Sequence, residues 1–134
     1  MKRVVITGMG VISPVGNSLK AFWDGLLAGM CGVGPITRFD TEGFKAKLAA
    51  EVKDFNPADF GMDVPTQRRM DKFTQYAVAA AKQAVEESGI VGTVEPERLG
   101  VYVGSGIGGM STLSSRATAS TSAAPAASPR SSSP

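Results

Sequence analysis

Apolar positions along the chain fall into a few stretches, and the spacing within each predicts an element. Val4, Val5 and Ile6 form an unbroken β-branched run inside Arg3 to Thr7, closed by Gly8 and Gly10. With no polar alternation to make one face wet, this run predicts a buried strand of a parallel sheet. Leu19, Phe22, Trp23, Leu26 and Leu27 then recur at i, i+3, i+4, i+7 and i+8, the spacing of one helix face. Asn17 or Ser18 is placed to cap that helix and Gly29 to end it, and Trp23 belongs to the core-facing side. Ala50 to Phe55 reads as a short strand stopped by Asn56-Pro57. A second helical pattern runs through Met70, Phe73, Ala77, Ala80, Ala81 and Ala84 and stops at Gly89. Leu99, Val101, Tyr102 and Val103 predict a last strand. The first strand, the second helix and the last strand form a parallel βαβ unit with a right-handed crossover, so the fold class is α/β. Two such strands cannot cover both faces of a sheet, and apolar surface is expected to stay open to association.

The last strand runs straight into Gly104-Ser105-Gly106-Ile107-Gly108-Gly109. Five glycines between Gly100 and Gly109 permit sharp turning and close approach to a neighbour or ligand. Gly104, Gly106 and Gly109 satisfy G-x-G-x-x-G after a strand, the spacing of a dinucleotide fingerprint. That fingerprint also needs a helix N-terminus for the pyrophosphate and an acidic residue about 20 positions on. Neither is expected, because Ser114 to Pro134 holds only Ser, Ala, Thr, Pro and Arg. Such a stretch has little to bury against a backbone ordering cost of about 1–2 kcal/mol per residue, which predicts a disordered tail. The domain reading is therefore one globular part over residues 1–113 and a tail over 114–134. The tail reads either as a linker or as the out-of-frame continuation of a gene shifted near Ser111. The second is preferred, because the glycine loop otherwise opens no element.

The formal net charge of +2 divides unevenly. All 12 acids precede Ser114 together with 12 of the 14 bases, so the body is neutral and Arg116 and Arg130 carry the excess. The pI of 8.8 is accordingly no argument for nucleic acid. No segment approaches the roughly 18 apolar residues of a membrane span. The basic start, Met1-Lys2-Arg3, is followed by no prompt small-residue cleavage site, so a cytoplasmic location is expected.

Candidate chemistry is sparse. The chain has no histidine, which removes the commonest base and metal ligand at neutral pH. Cys31, the one cysteine, lies in a Cys-Gly-Val-Gly-Pro turn with no base to make its thiolate and reads as inert. No catalytic or metal site is expected. Arg68, Arg69 and Lys72 stand out, because they cluster where the second helix is predicted to begin. There the macrodipole disfavours cations by about 0.3–1 kcal/mol. Stability does not account for such a cluster; an acidic partner or a phosphate group does, against the plainer reading of a solvated face.

Taken in order, several stretches resemble one family. They are Arg3-Val4-Val5-Ile6-Thr7-Gly8-Met9-Gly10-Val11-Ile12-Ser13-Pro14-Val15-Gly16-Asn17, Phe22-Trp23 with Leu26-Leu27-Ala28-Gly29, and Pro35-Ile36-Thr37-Arg38-Phe39-Asp40. Val52-Lys53-Asp54-Phe55, Arg68-Arg69-Met70-Asp71 through Gln75-Tyr76, and the Gly104 to Gly109 loop complete them. Together they resemble the amino-terminal part of the β-ketoacyl-[acyl-carrier-protein] synthases, most of all the type II enzymes of fatty-acid synthesis. The resemblance implies part of a thiolase-like fold, a homodimer in the intact family, and condensation of an acyl thioester with malonyl-[acyl-carrier-protein] to 3-oxoacyl-[acyl-carrier-protein]. It implies no cofactor of the protein's own, the substrates riding on the phosphopantetheine arm of acyl carrier protein. By the same resemblance Ile107 matches a residue that gates the acyl pocket, and Gly106, Ile107 and Gly108 line the acyl channel. Arg68 and Arg69 match basic residues that dock acyl carrier protein. The family's nucleophilic cysteine and two histidines have no counterpart here, which implies an acyltransferase by family that is inactive as this chain alone. The alternative is a non-catalytic module that binds acyl carrier protein or a synthase subunit.

Overall fold

A computed structural model of the protein describes residues 3–122, which divide into two units between Gly104 and Ser105. In the first unit, helix α1 (Leu19–Leu27) forms where the first apolar stripe predicts it. The Ser18 hydroxyl accepts the Ala21 N–H at 3.2 Å as N-cap, and Gly29, at φ +69°, turns the chain just past the C-cap Ala28. A minimal antiparallel sheet follows, β1 (Gly34–Pro35) on β2 (Leu48–Ala49), in the register Gly34 to Ala49 and Pro35 to Leu48. A 3₁₀ turn at Pro57–Phe60 leads into α2 (Val64–Arg69) and α3 (Lys72–Ser88), the latter ended by Gly89 at φ +60°. A further 3₁₀ turn at Pro96–Arg98 is the last helical element of this unit, ahead of residues 99–104.

The predicted parallel βαβ unit does not form as a sheet. Residues 3–7 and 99–103 carry no strand assignment, and the predicted strand Ala50–Phe55 is displaced to Leu48–Ala49. The reason lies in partners: a strand exists only where another pairs with it, and among the described residues neither run meets one. Their side chains accordingly lie open, Val4 being 91% and Val101 84% exposed. Trp23 is likewise not core; it is 58% exposed on the apolar face of α1. The buried hydrophobic residues among those described are Met62 and Ala79, which fits the expectation of open apolar surface.

What holds the first unit together is α3. Residues 8–11 run against it so closely that a β-carbon on Gly8 or Gly10 would land on the carbonyl oxygen of Ala84 or Ala80 respectively. Gly8 and Gly10 therefore serve backbone approach to a helix rather than merely ending a strand. Gln83 fastens the same segment, donating to the Val11 and Asn17 carbonyls at 3.3 and 3.0 Å and accepting from the Val11 N–H at 3.3 Å.

The second unit contains α4 (Met110–Ser122), whose first intrahelical bond runs from the Leu113 N–H to the Gly109 carbonyl at 2.9 Å. Disorder predicted from Ser114 is thus not what residues 114–122 show; residues 123–134 lie outside the described residues. The composition argument measures what a segment can bury, whereas a helix can form on local terms. Ala propensity and hydroxyls turned back onto the helix, Ser115 to the Thr112 carbonyl and Thr118 to the Ser114 carbonyl, both at 3.0 Å, supply these. The glycine loop is followed by an element, α4.

Candidate functional site

The site begins with a buried methionine. Asn56 caps the 3₁₀ turn, its side-chain oxygen accepting the Ala58 N–H at 3.3 Å, and Gly61 at φ +73° reverses the chain so that Met62 points inward, 4% exposed. Asp63 then caps α2 by accepting the Thr66 N–H at 3.0 Å. Thr66, through its hydroxyl first and its N–H second, holds the Asp63 carboxyl below its ordinary value. Pro65 sits in the first turn, where its missing N–H costs nothing.

After six residues α2 stops, because Met70 (φ −109°, ψ 134°) and Asp71 (φ −66°, ψ 159°) are extended. Arg68 and Arg69 therefore occupy the last turn of α2 rather than the start of the long helix. The electrostatic reading reverses with the position: at a helix C-terminus the macrodipole favours cations, by about 0.3–1 kcal/mol. Both arginines are exposed, and neither has a carboxylate within ion-pair distance among the described residues. Lys72 opens α3 with its ammonium 6.0 Å from the centroid of the Phe55 ring, at the outer edge of a cation–π contact.

Two glutamines lock this junction. Gln67 donates through its side chain to the Met62 carbonyl at 2.7 Å, across the start of α2. Gln75, 5% exposed, donates through Nε2 to the Gln67 carbonyl at 3.0 Å and the Met70 carbonyl at 3.1 Å, across its end. Beside them Phe55 stacks on Phe60 at 5.6 Å and meets Tyr76 edge-on at 4.8 Å. The Tyr76 hydroxyl lies 3.4 Å from an Arg38 guanidinium nitrogen, and Arg38 approaches Glu51 at 3.9 Å. Glu51 also accepts the Thr37 hydroxyl at 2.6 Å, the chief cause of its carboxyl lying below the ordinary value.

The other predicted site residues are placed differently. Gly106, Ile107 and Gly108 lie in the second unit, ahead of α4, and Ile107 is 85% exposed. A β-carbon on Gly104 or Gly106 would meet nothing within 4 Å, so close approach does not explain those two glycines among the described residues; Gly109, at φ +73°, does use its freedom. Cavities lie elsewhere. One of about 320 Å³ is lined by Ser13, Asn17, Cys31 and Lys53 among others, and one of about 430 Å³ by Met9, Leu19, Lys20 and Trp23. A third, about 220 Å³, lies between Val101, Val103 and the Phe73, Ala77 and Ala81 side of α3. Cys31 is exposed, with its sulfur 3.9 Å from the Val33 carbonyl.

Gln67, Gln75 and Arg38 do not stand out in the sequence. Gln75 is polar and falls off the apolar stripe, yet it shares a face with Ala79 and Gln83 at i, i+4 and i+8. A polar residue spaced in that way with a small one is the signal that finds it.

Comparison with known proteins gives a consistent picture. A family model described as beta-ketoacyl synthase, N-terminal domain, matches residues 1–133. A protein of Staphylococcus aureus (strain COL) named 3-oxoacyl-[acyl-carrier-protein] synthase 2 is 50% identical over 113 residues, covering 84% of this chain and 27% of the relative. A protein of the same name from Coxiella burnetii (strain RSA 493 / Nine Mile phase I) is 51% identical over 110 residues, covering 81% and 26%. The chain thus spans about a quarter of the length of these relatives. A solved structure described as the ishigamide ketosynthase/chain length factor superposes with a TM-score of 0.58 at 44% identity, over 72% of this chain and 23% of that one.

Proposed function

This chain belongs to the family of β-ketoacyl synthase N-terminal domains, and from that premise we propose that it is the carrier-protein-docking part of a fatty-acid condensing enzyme. The observation that carries the reading is the α2–α3 junction, where Arg68 and Arg69 stand exposed and without a carboxylate partner among the described residues, on a frame locked by partly buried hydrogen bonds. Lys72, one residue into α3, extends the same basic surface. An acidic carrier protein is the partner such a surface recruits, through charge pairs that steer encounter and weaken with salt.

The reaction in which this docking takes part is condensation of an acyl thioester with malonyl-[acyl-carrier-protein] to 3-oxoacyl-[acyl-carrier-protein], in a cytoplasmic protein with a thiolase-like fold. Substrates arrive on the phosphopantetheine arm of the carrier protein, with no further cofactor. Gly106, Ile107 and Gly108 serve as one wall of the acyl channel. The chain does not perform the chemistry alone: it has no histidine, and Cys31 lies exposed in a turn rather than at a helix N-terminus, where a thiolate is stabilised. The open groove between Val101, Val103 and α3 favours a second reading, a module that binds a synthase subunit.

Titration with fluorescently labelled acyl carrier protein tests the proposal. Saturable, salt-sensitive binding that is lost in Arg68→Glu/Arg69→Glu is the expected result. Equal binding by the parent chain and the variant overturns it, and binding of a synthase subunit without carrier-protein binding selects the second reading. Condensation above a no-protein control by the purified chain would contradict its catalytic silence.

A further inference from the structure

Gln75 is the one buried polar residue among those described, and its hydrogen bonds all serve one place. Both Nε2 hydrogens are spent on carbonyls at the end of α2, those of Gln67 and Met70, which flank Arg68 and Arg69 in sequence. A helix of six residues has little intrinsic persistence, and its last carbonyls need donors from elsewhere. The side-chain oxygen of Gln75 is buried with no partner, so the amide is held for its donors alone. The opposite amide orientation would turn an oxygen onto two carbonyl oxygens, which fixes the assignment.

We propose that Gln75 is a positioning residue for carrier-protein docking: its side-chain amide closes the α2–α3 junction and thereby sets the direction in which Arg68 and Arg69 are presented. The inference rests on the docking role of those two arginines given above, and deepens it. Gln75 touches no partner itself; it acts through the backbone that bears the two guanidinium groups. Loss of its donors takes that partner from the Met70 carbonyl and leaves the Gln67 carbonyl only the Met70 N–H at 3.3 Å, and the break between α2 and α3 loses its definition.

A double-mutant cycle distinguishes this from a general structural role. Affinity for labelled acyl carrier protein is measured on the full chain for Gln75→Glu, for Arg68→Ala/Arg69→Ala and for the combination, with thermal midpoints alongside. Gln75→Met, similar in volume but without donors, carries the same cycle should Gln75→Glu unfold. The expected result is a loss of about tenfold or more for the Gln75 variant in the parent background, and a further change under about twofold once the arginines are gone. The slope of affinity against salt should fall in the Gln75 variant as it does in the arginine variant. If the arginine pair matters but the Gln75 variant binds normally, or weakens binding equally in both backgrounds, the positioning role is overturned while docking stands. If the arginine variant binds as the parent chain does, the docking reading itself fails and the inference fails with it.

Discussion

Along one side of α3, Gln75, Ala79 and Gln83 are closed over by the α2 junction and the segment at residues 8–17; along the other, Phe73, Ala77 and Ala81 border a groove that Val101 and Val103 leave open. The closed side is secured by side-chain amides reaching backbone groups, the open side by apolar surface with nothing over it. Hydrogen bonds of the first kind are completed within a short radius, whereas apolar burial needs whole layers to meet. One helix thus shows a self-sufficient polar frame and an apolar face that awaits a partner.

The contrast breaks most sharply at Gly10. A β-carbon there would collide with the Ala80 carbonyl, which is backbone and cannot swing aside, so Gly10→Ala should destabilise the first unit by about 3 kcal/mol, measured as a shift of the urea midpoint. Met62→Ala, emptying a buried position beneath α2, comes next at about 2 kcal/mol by the same measurement. On the open side Val101→Ser/Val103→Ser should move stability by under about 0.5 kcal/mol while lowering self-association in sedimentation velocity, since both side chains are exposed. A large stability loss there would mean that the groove is closed in solution.

The smallest effect concerns acid. Glu51 and Asp63 both have carboxyls held below their ordinary values in the folded chain, by hydrogen bonds from Thr37 and Thr66. A carboxyl lowered on folding lends stability that is present above its unfolded value and is lost as pH falls through the folded one. Stability should therefore decline below about pH 4.5, the ordinary Glu51 value, and the decline should be shallower in Glu51→Gln, read from urea midpoints at pH 6 and pH 3.

The parts of this molecule legible from residues alone are those decided over a few positions. The stripe from Leu19 to Leu27 with Ser18 ahead of it, and the long helix stopped by Gly89, appear where periodicity and caps place them. The strands were legible as strand-like sequence but not as strands, because pairing is a property of two segments and 3–7 and 99–103 find no ladder among the described residues. Arg68 and Arg69 were legible as a cluster while their helix was not: the apolar pattern runs on through Met70, and only its extended backbone, with Asp71, reveals the break. The tail misled for the opposite reason, its composition being poor for a core and adequate for a helix. Gln75 was legible only as a polar residue sharing a face with Ala79 and Gln83, and what it holds there shows once the carbonyls it serves are seen.

The bonds made by Gln83 carry one further consequence. Its amide takes both the N–H and the carbonyl of Val11, the two groups that a neighbouring strand would otherwise use at that residue. The side chain acts there as a register stop. A strand supplied by any partner to residues 3–7 has to end its ladder on that edge before Val11, so Gln83 works as a ruler for whatever sheet is completed around this chain.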